Sequence, residues 1–153
     1  TCTTRQPRPG EKNGVDYFFL SEEEFQKKLK KGDFLEHANV FGYHYGTSKK
    51  LVEKELKTGK DVILVIDTQG ALQLKGRLDA IFIFIAPPSI EELKKRLYQR
   101  STESPEVIEK RIARARHELE MISHYDYHII NDNLSVAHNA LKNILIAEED
   151  RVK

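Results

Sequence analysis

Two stretches of unbroken apolar character, Val62-Ile63-Leu64-Val65-Ile66 and Ile81-Phe82-Ile83-Phe84-Ile85, constrain this chain more than any other feature. A strand with one wet face alternates apolar and polar residues. A run without alternation fits a strand covered on both faces, as in a parallel sheet flanked by helices. The first run ends at Asp67 and the second at Pro87-Pro88; Tyr127-His128-Ile129-Ile130 is a weaker third, followed by the polar turn Asn131-Asp132-Asn133 and an expected helix over 135–148. The fold class expected is therefore α/β. In such sheets ligands bind past the carboxyl ends of the strands, which directs attention to Asp67 and Asn131.

Ahead of these runs the pattern is mixed. Thr4-Arg5-Gln6-Pro7-Arg8-Pro9-Gly10 reads as a fixed loop, and 15–20 as a strand. Ser21 and Glu24 form a capping box for a helix with Phe25 and Leu29 on one face and Gly32 as its stop. Residues 34–41 read as extended and 47–56 as a short helix stopped near Gly59. Between the second and third runs lie two expected helices. One opens on the box Ser89/Glu92 with Ile90, Leu93 and Leu97 on its face. The other opens on Ser104-Pro105 with Ile108, Ile112, Ala115 and Leu119 on its face. A helical hairpin inserted into a parallel sheet is a candidate lid.

Composition removes several classes of function. Lys plus Arg number 25 and Asp plus Glu 24 among 153 residues, a balance that argues against a general nucleic-acid binder. No apolar run approaches the roughly 20 residues of a membrane span. The single cysteine, Cys2, allows no disulfide framework and no cysteine-based zinc site. The six histidines lack metal-ligand spacing. A soluble cytoplasmic protein is expected.

The residues that can do chemistry fall in four places. Arg5 and Arg8, three apart in the proline-containing loop, can grip a phosphate dianion, with Glu11 close enough to orient one of them; the same spacing also suits a solvated basic turn. Gly42-Tyr43-His44-Tyr45-Gly46-Thr47-Ser48 offers hydroxyls for a phosphate or a purine edge, or simply a tight turn and a helix cap. Glu36, a carboxylate inside Phe34-Leu35-Glu36-His37-Ala38, can accept two parallel hydrogen bonds from N1–H and the 2-amino group of guanine, which adenine does not offer; it can also be an exposed edge-strand residue. Arg96 and Arg100, and Arg111 and Arg114, share helix faces in the lid zone. There they can neutralise phosphoryl charge or pair with Glu103, Glu106, Glu109 or Glu118.

Taken together these residues resemble the guanylate kinase family. Thr3-Thr4-Arg5-Gln6-Pro7-Arg8-Pro9-Gly10-Glu11 with Asn13-Gly14-Val15-Asp16-Tyr17 looks like its opening GMP-binding signature. Phe34-Leu35-Glu36-His37-Ala38, Tyr45-Gly46-Thr47-Ser48, Ile66-Asp67-Thr68-Gln69-Gly70, Pro87-Pro88-Ser89 and Asn131-Asp132 follow in the family's order, so the resemblance covers essentially the whole chain. It implies a P-loop kinase core of parallel strands with a mixed α/β GMP-binding subdomain and a helical lid. The corresponding regions are 1–59 for GMP binding, 60–87 with 121–153 for the core, and 88–120 for the lid. It further implies that Arg5, Arg8, Tyr17 and Tyr45 hold the GMP phosphate, that Glu36 and Thr47 read the guanine with Thr1 nearby, and that Glu11 supports the arginines. Asp67 would lie near GMP and a magnesium ion. Arg96, Arg100 and Arg111 would be the lid arginines, with Arg100 and Asn131 also reaching ATP. The implied reaction is phosphorylation of GMP by ATP with Mg2+, the implied partners are GMP and ATP without nucleic acid or membrane, and the expected state is a monomer or weak dimer.

Two departures from the family pattern set further expectations. No G-x-x-x-x-G-K-[ST] occurs in the sequence, whereas the family carries that phosphate loop upstream. The chain is thus expected to be a piece lacking the first strand, loop and helix, and to have negligible kinase activity alone. Val65 stands where many relatives have an aspartate, leaving Asp67 to carry any acidic role. The competing expectation is a non-catalytic guanylate-kinase-like module that binds protein partners, a class that tends to lose the nucleotide-contacting residues present here.

Overall fold

The capping box read at Ser21 and Glu24 is formed. In the computed structural model, which describes residues 1–99 and 104–151, the Ser21 hydroxyl accepts from the Glu24 amide and the Glu24 carboxylate accepts from the Ser21 amide. They start helix α1, Glu22–Lys30. Gly32 follows with φ +70°, a left-handed conformation that ends the helix at little steric cost. The chain divides into two units, Thr1–Asp79 and Ala80–Lys153.

The first unit is built on a four-stranded sheet of β1 (Cys2–Thr3), β2 (Phe18–Phe19), β3 (Phe34–Val40) and β4 (Tyr43–Ser48) in the order β2-β1-β4-β3. β1 runs parallel to β2 and antiparallel to β4. β3 and β4 form a hairpin whose turn is Phe41-Gly42, both with positive φ (52° and 85°). That is the turn whose twist suits two antiparallel strands. It ends the extended segment one residue earlier than the sequence pattern suggests.

The strand expected over 15–20 shrinks to Phe18–Phe19 because turn chemistry wins before it. Gly14 has φ +79°, and the Asp16 carboxylate turns back to accept from the Lys12 amide at 2.7 Å. The helix expected from residue 47 begins later, as α2 (Lys49–Leu56), because Thr47 and Ser48 are drawn into the ladder opposite Phe34 and Glu36.

That ladder carries a register shift between Phe34 and Glu36, a bulge of the kind that re-aims a side chain. Residues two apart on a regular strand share a face. Here they do not. Phe34 stacks on Phe25 of α1 with ring centroids 4.6 Å apart, whereas Glu36 is turned to the face occupied by Thr47 and is 3% exposed. Phe25 is fully buried and also stacks on His44 at 5.2 Å. Phe25→Ala is expected to cost about 3–5 kcal/mol, read as a lowered denaturation midpoint at unchanged denaturant slope.

The run at 62–66 is not a strand. A strand exists only as one side of a ladder, and among the described residues none bonds to this segment through the backbone. Val65 is 90% and Ile63 65% exposed. The run leads instead into a short helix α3 (Thr68–Leu74), started by Asp67, whose carboxylate accepts from the Gly70 amide at 3.0 Å. β3 would otherwise be a bare edge, and α3 closes it. The Gln73 side-chain amide bonds both the N–H (3.1 Å) and the C=O (2.6 Å) of His37, and Gln69 donates to the Asn39 carbonyl at 3.2 Å. Two glutamines four apart on one helix face thus stand in for a missing neighbour strand.

In the second unit β5 (Ile83–Ala86) pairs in parallel with β6 (Tyr127–Ile130). Coverage on both faces, expected from the apolar run, is not seen among the described residues: Phe84, Ala86 and Ile129 are buried, but Ile85 and Ile130 are each 54% exposed. Helices α4 (Ile90–Gln99) and α5 (Pro105–Glu120) pack through Leu97, Ile108 and Ile112, with Ile90 and Leu93 alongside, and Lys94 pairs with Glu109 across them at 2.7 Å. At the start of α4 only half of the expected box forms. The Ser89 hydroxyl accepts from the Glu92 amide, but the Glu92 carboxylate turns to Arg96. Helix α6 (Leu134–Glu149) is capped by Asn133, which accepts from the Ser135 and Val136 amides.

Candidate functional site

The proline-containing loop is organised around one ion pair. Arg5 donates from both terminal nitrogens to Glu11, at 2.9 and 3.0 Å, from Nε to the Tyr45 hydroxyl at 3.2 Å, and to the Gln6 carbonyl at 2.7 Å. Its guanidinium lies over the rings of Tyr17 (5.5 Å) and Phe19 (5.9 Å). Glu11 additionally accepts from the Arg8 amide at 2.7 Å, which closes the loop. The Arg5 hydrogen bonds, then the Arg8 amide, hold the Glu11 carboxyl below its usual range; reciprocally, Glu11 and then Tyr45 push Arg5 still further towards its charged form. Four of the five Arg5 N–H groups are thereby used. Arg8 is exposed, with no hydrogen bond from its side chain among the described residues. Arg5 is therefore the anchor of the loop and Arg8 its open charge.

Tyr45 joins this loop to a cavity. It packs edge-on to Tyr17 with ring centroids 6.2 Å apart, and both rings line a pocket with Thr1, Glu36, Val65 and Asp67. At the pocket wall the Thr47 hydroxyl donates to Glu36 at 2.5 Å. Burial pushes the Glu36 carboxyl above its usual range. The Thr47 bond opposes that shift and the nearby Asp67 charge adds to it. Charged groups for an anion, held by Tyr45 of β4 and by Glu11 of the loop that precedes β2, and a buried double acceptor, held by Thr47 of β4, thus lie on one unit.

Asp67 reaches the same pocket, but its oxygens already accept from Gly70 N–H (3.0 Å) and Gln69 Nε2 (3.1 Å). Among the described residues no three His, Cys, Asp or Glu side chains gather as a metal cage.

A family model described as guanylate kinase matches residues 1–148. The chain belongs to the guanylate kinase family. It is 55% identical over 150 residues to the guanylate kinase of Protochlamydia amoebophila, covering 98% of this chain and 76% of that protein. It is 50% identical to that of Desulfitobacterium hafniense, covering 100% and 77%. Among solved structures, the guanylate kinase from Anaplasma phagocytophilum superposes with a TM-score of 0.84 at 37% identity, covering 99% of this chain and 74% of that one. The mixed α/β fold is that of the guanylate kinases.

The remaining candidates of this guanylate kinase family member lie in the second unit. Arg96 is fastened by three bonds: Nε to Glu92 (2.9 Å), one terminal nitrogen to the Asn131 carbonyl (2.8 Å) and the other to the Asp132 carbonyl (3.3 Å). The two sequence candidates Arg96 and Asn131 are thus brought together, through backbone rather than side chain of the latter. Arg111 is half-buried on α5, and Arg114 pairs with Glu118 at 2.8 Å. Arg100 and Glu103 lie outside the described residues. From sequence, Gln69 and Gly70 are only part of the pattern after Asp67, with no role for them or for Gln73. The glutamine pair four apart acquires meaning only once β3 is seen to be an edge.

Proposed function

We propose that this chain binds GMP in the Glu36–Tyr45 pocket and serves the reaction ATP + GMP → ADP + GDP. A phosphate oxygen of GMP forms a bond to the γ-phosphorus of ATP, and the bond from that phosphorus to the β-γ bridging oxygen breaks, its electrons leaving with ADP. The observation that supports this reading best is the joining, by Tyr45, of a cationic loop to a buried carboxylate. Arg8, the remaining N–H of Arg5 and the hydroxyls of Tyr17 and Tyr45 bind the GMP phosphate. Glu36, steadied by Thr47, accepts from guanine N1–H and the 2-amino group, while Thr1 borders the base. Binding in this fixed geometry supplies orientation, which can be worth several kcal/mol of the barrier. We assign charge neutralisation on the transferring group to Arg96, Arg100 and Arg111, and contact with ATP to Arg100 and Asn131.

ATP and magnesium belong to the proposal as donor and accompanying ion. Each Asp67 oxygen accepts one hydrogen bond and keeps a further lone pair, and no group of three His, Cys, Asp or Glu side chains gathers among the described residues. The described residues form no protein cage for Mg2+; the lone Asp67 carboxylate would hold the ion only together with nucleotide phosphates. A cytoplasmic location and a monomeric or weakly dimeric state complete the reading. No described helix is long and apolar enough to cross a membrane.

Calorimetric titration of the chain with GMP and AMP tests the assignment. GMP is expected to bind at least about tenfold more tightly than AMP, the difference one well-placed hydrogen-bond pair supports. A folded chain that binds neither nucleotide would point to the non-catalytic, protein-binding alternative.

A further inference from the structure

We propose that Gly70 is a specificity-positioning residue: the missing side chain at this helix position fixes where the Glu36 carboxylate stands, and with it the recognition of guanine. The inference rests on the reading of Glu36 as the guanine acceptor.

Gly70 lies inside α3 without a positive φ, so the backbone does not call for glycine there. Alanine is the more favourable residue in a helix interior. The reason for glycine lies across the interface. A Cβ added to Gly70 would stand 2.3 Å from Glu36 Oε2, 3.0 Å from its Cδ and 3.5 Å from its Cγ. The first of these is far inside contact distance.

The backbone on either side cannot easily yield. Gln73 clamps both polar groups of His37, the residue next to Glu36, and the Gly70 amide is held by Asp67. The soft element is the carboxylate itself. Thr47 holds Oε1, and the Gly70 Cα leaves room for Oε2 on the other side. A methyl group at Gly70 therefore drives the carboxylate off the Thr47 hydroxyl and changes the direction of both acceptor oxygens. The cost falls on base recognition more than on the fold.

The test is a double-mutant cycle of Gly70→Ala and Glu36→Ala, with GMP and AMP affinities by calorimetry and unfolding midpoints for each protein. Gly70→Ala alone is expected to weaken GMP at least about tenfold while AMP changes by less than about twofold. In the Glu36→Ala background the same substitution is expected to change GMP affinity by less than about twofold and to leave the unfolding midpoint equal or higher, because the helix preference for alanine is then unopposed. Should Gly70→Ala fail to fold while the double variant folds, the clash with Glu36 is established by that rescue.

Three results would overturn the proposal. One is native GMP affinity and GMP-to-AMP ratio in Gly70→Ala. Another is an equal loss of GMP affinity in both backgrounds. The third is failure of both Gly70→Ala proteins to fold. A Glu36→Ala protein that keeps the native GMP-to-AMP ratio would instead refute the guanine-acceptor reading on which the proposal stands.

Discussion

Replacing Arg5 with lysine is expected to weaken GMP binding by about a hundredfold while changing guanosine binding by less than about threefold, since bonds to charged groups are each worth about 1.5–3 kcal/mol. The reason lies in the shape of the guanidinium. Arg5 simultaneously satisfies both Glu11 oxygens, the Tyr45 hydroxyl and the Gln6 carbonyl. An ammonium has three donors radiating from one point and cannot span that set. The loop then loses its internal brace. Arg8, whose amide is tied to Glu11, and Tyr45, whose hydroxyl is set by Arg5, both lose their alignment on the phosphate. The paired calorimetric titrations with GMP and guanosine carry the check. An equal loss of both ligands would mean that Arg5 supports the whole unit rather than the anion site.

Glu36→Ala is expected to lower GMP affinity by about a hundredfold or more, the sum of two hydrogen bonds to a charged acceptor, and to leave AMP unaffected or slightly better bound. Adenine presents an unprotonated N1 to that wall, where the carboxylate repels it. The pH dependence has a definite sign. Burial raises the Glu36 pKa above its unfolded value, so the folded protein holds this proton more tightly. Folding is therefore unpenalised at acid pH, below the ordinary carboxylate range, and loses stability as pH rises through the raised value.

Glu36→Gln removes that loss. The variant should match the native chain in acid and exceed it in stability above the window, while losing guanine selectivity. Guanosine binding needs the ionised form, so affinity should fall as pH drops through the same window in the native chain but not in Glu36→Gln. Guanosine is the ligand of choice because a nucleotide phosphate has its own second pKa near 6. A guanosine affinity that is flat with pH in the native chain would show that Glu36 does not accept from the base.

Local chemistry was legible wherever the signal and its cause lie within one turn. The Ser21/Glu24 box and the Gly32 stop both involve contacts between residues three or four apart. Legibility failed where the decisive partner is remote. The run 62–66 has strand composition, but composition does not provide a neighbour to bond with, and Asp67 spends its carboxylate on starting α3. The bulge before Glu36 left no mark in the sequence, yet it separates Phe34 from Glu36 and puts the acid on the pocket face. The chemistry of Arg5, Glu11, Glu36 and Thr47 could be listed from residue type, but its division of labour could not. That Arg5 spends most of its donors inside the protein, and Arg8 does not, depends on the path of a loop that two prolines only outline.

The latch at Arg96 has a mechanical consequence. Its guanidinium grips the carbonyls of Asn131 and Asp132, 35 and 36 residues away, so the last turn of α4 and the segment leaving β6 are coupled bodies. Any swing of α4 either carries that segment along or ruptures both carbonyl contacts. As far as Arg96, α4 therefore counts mechanically with the end of the sheet.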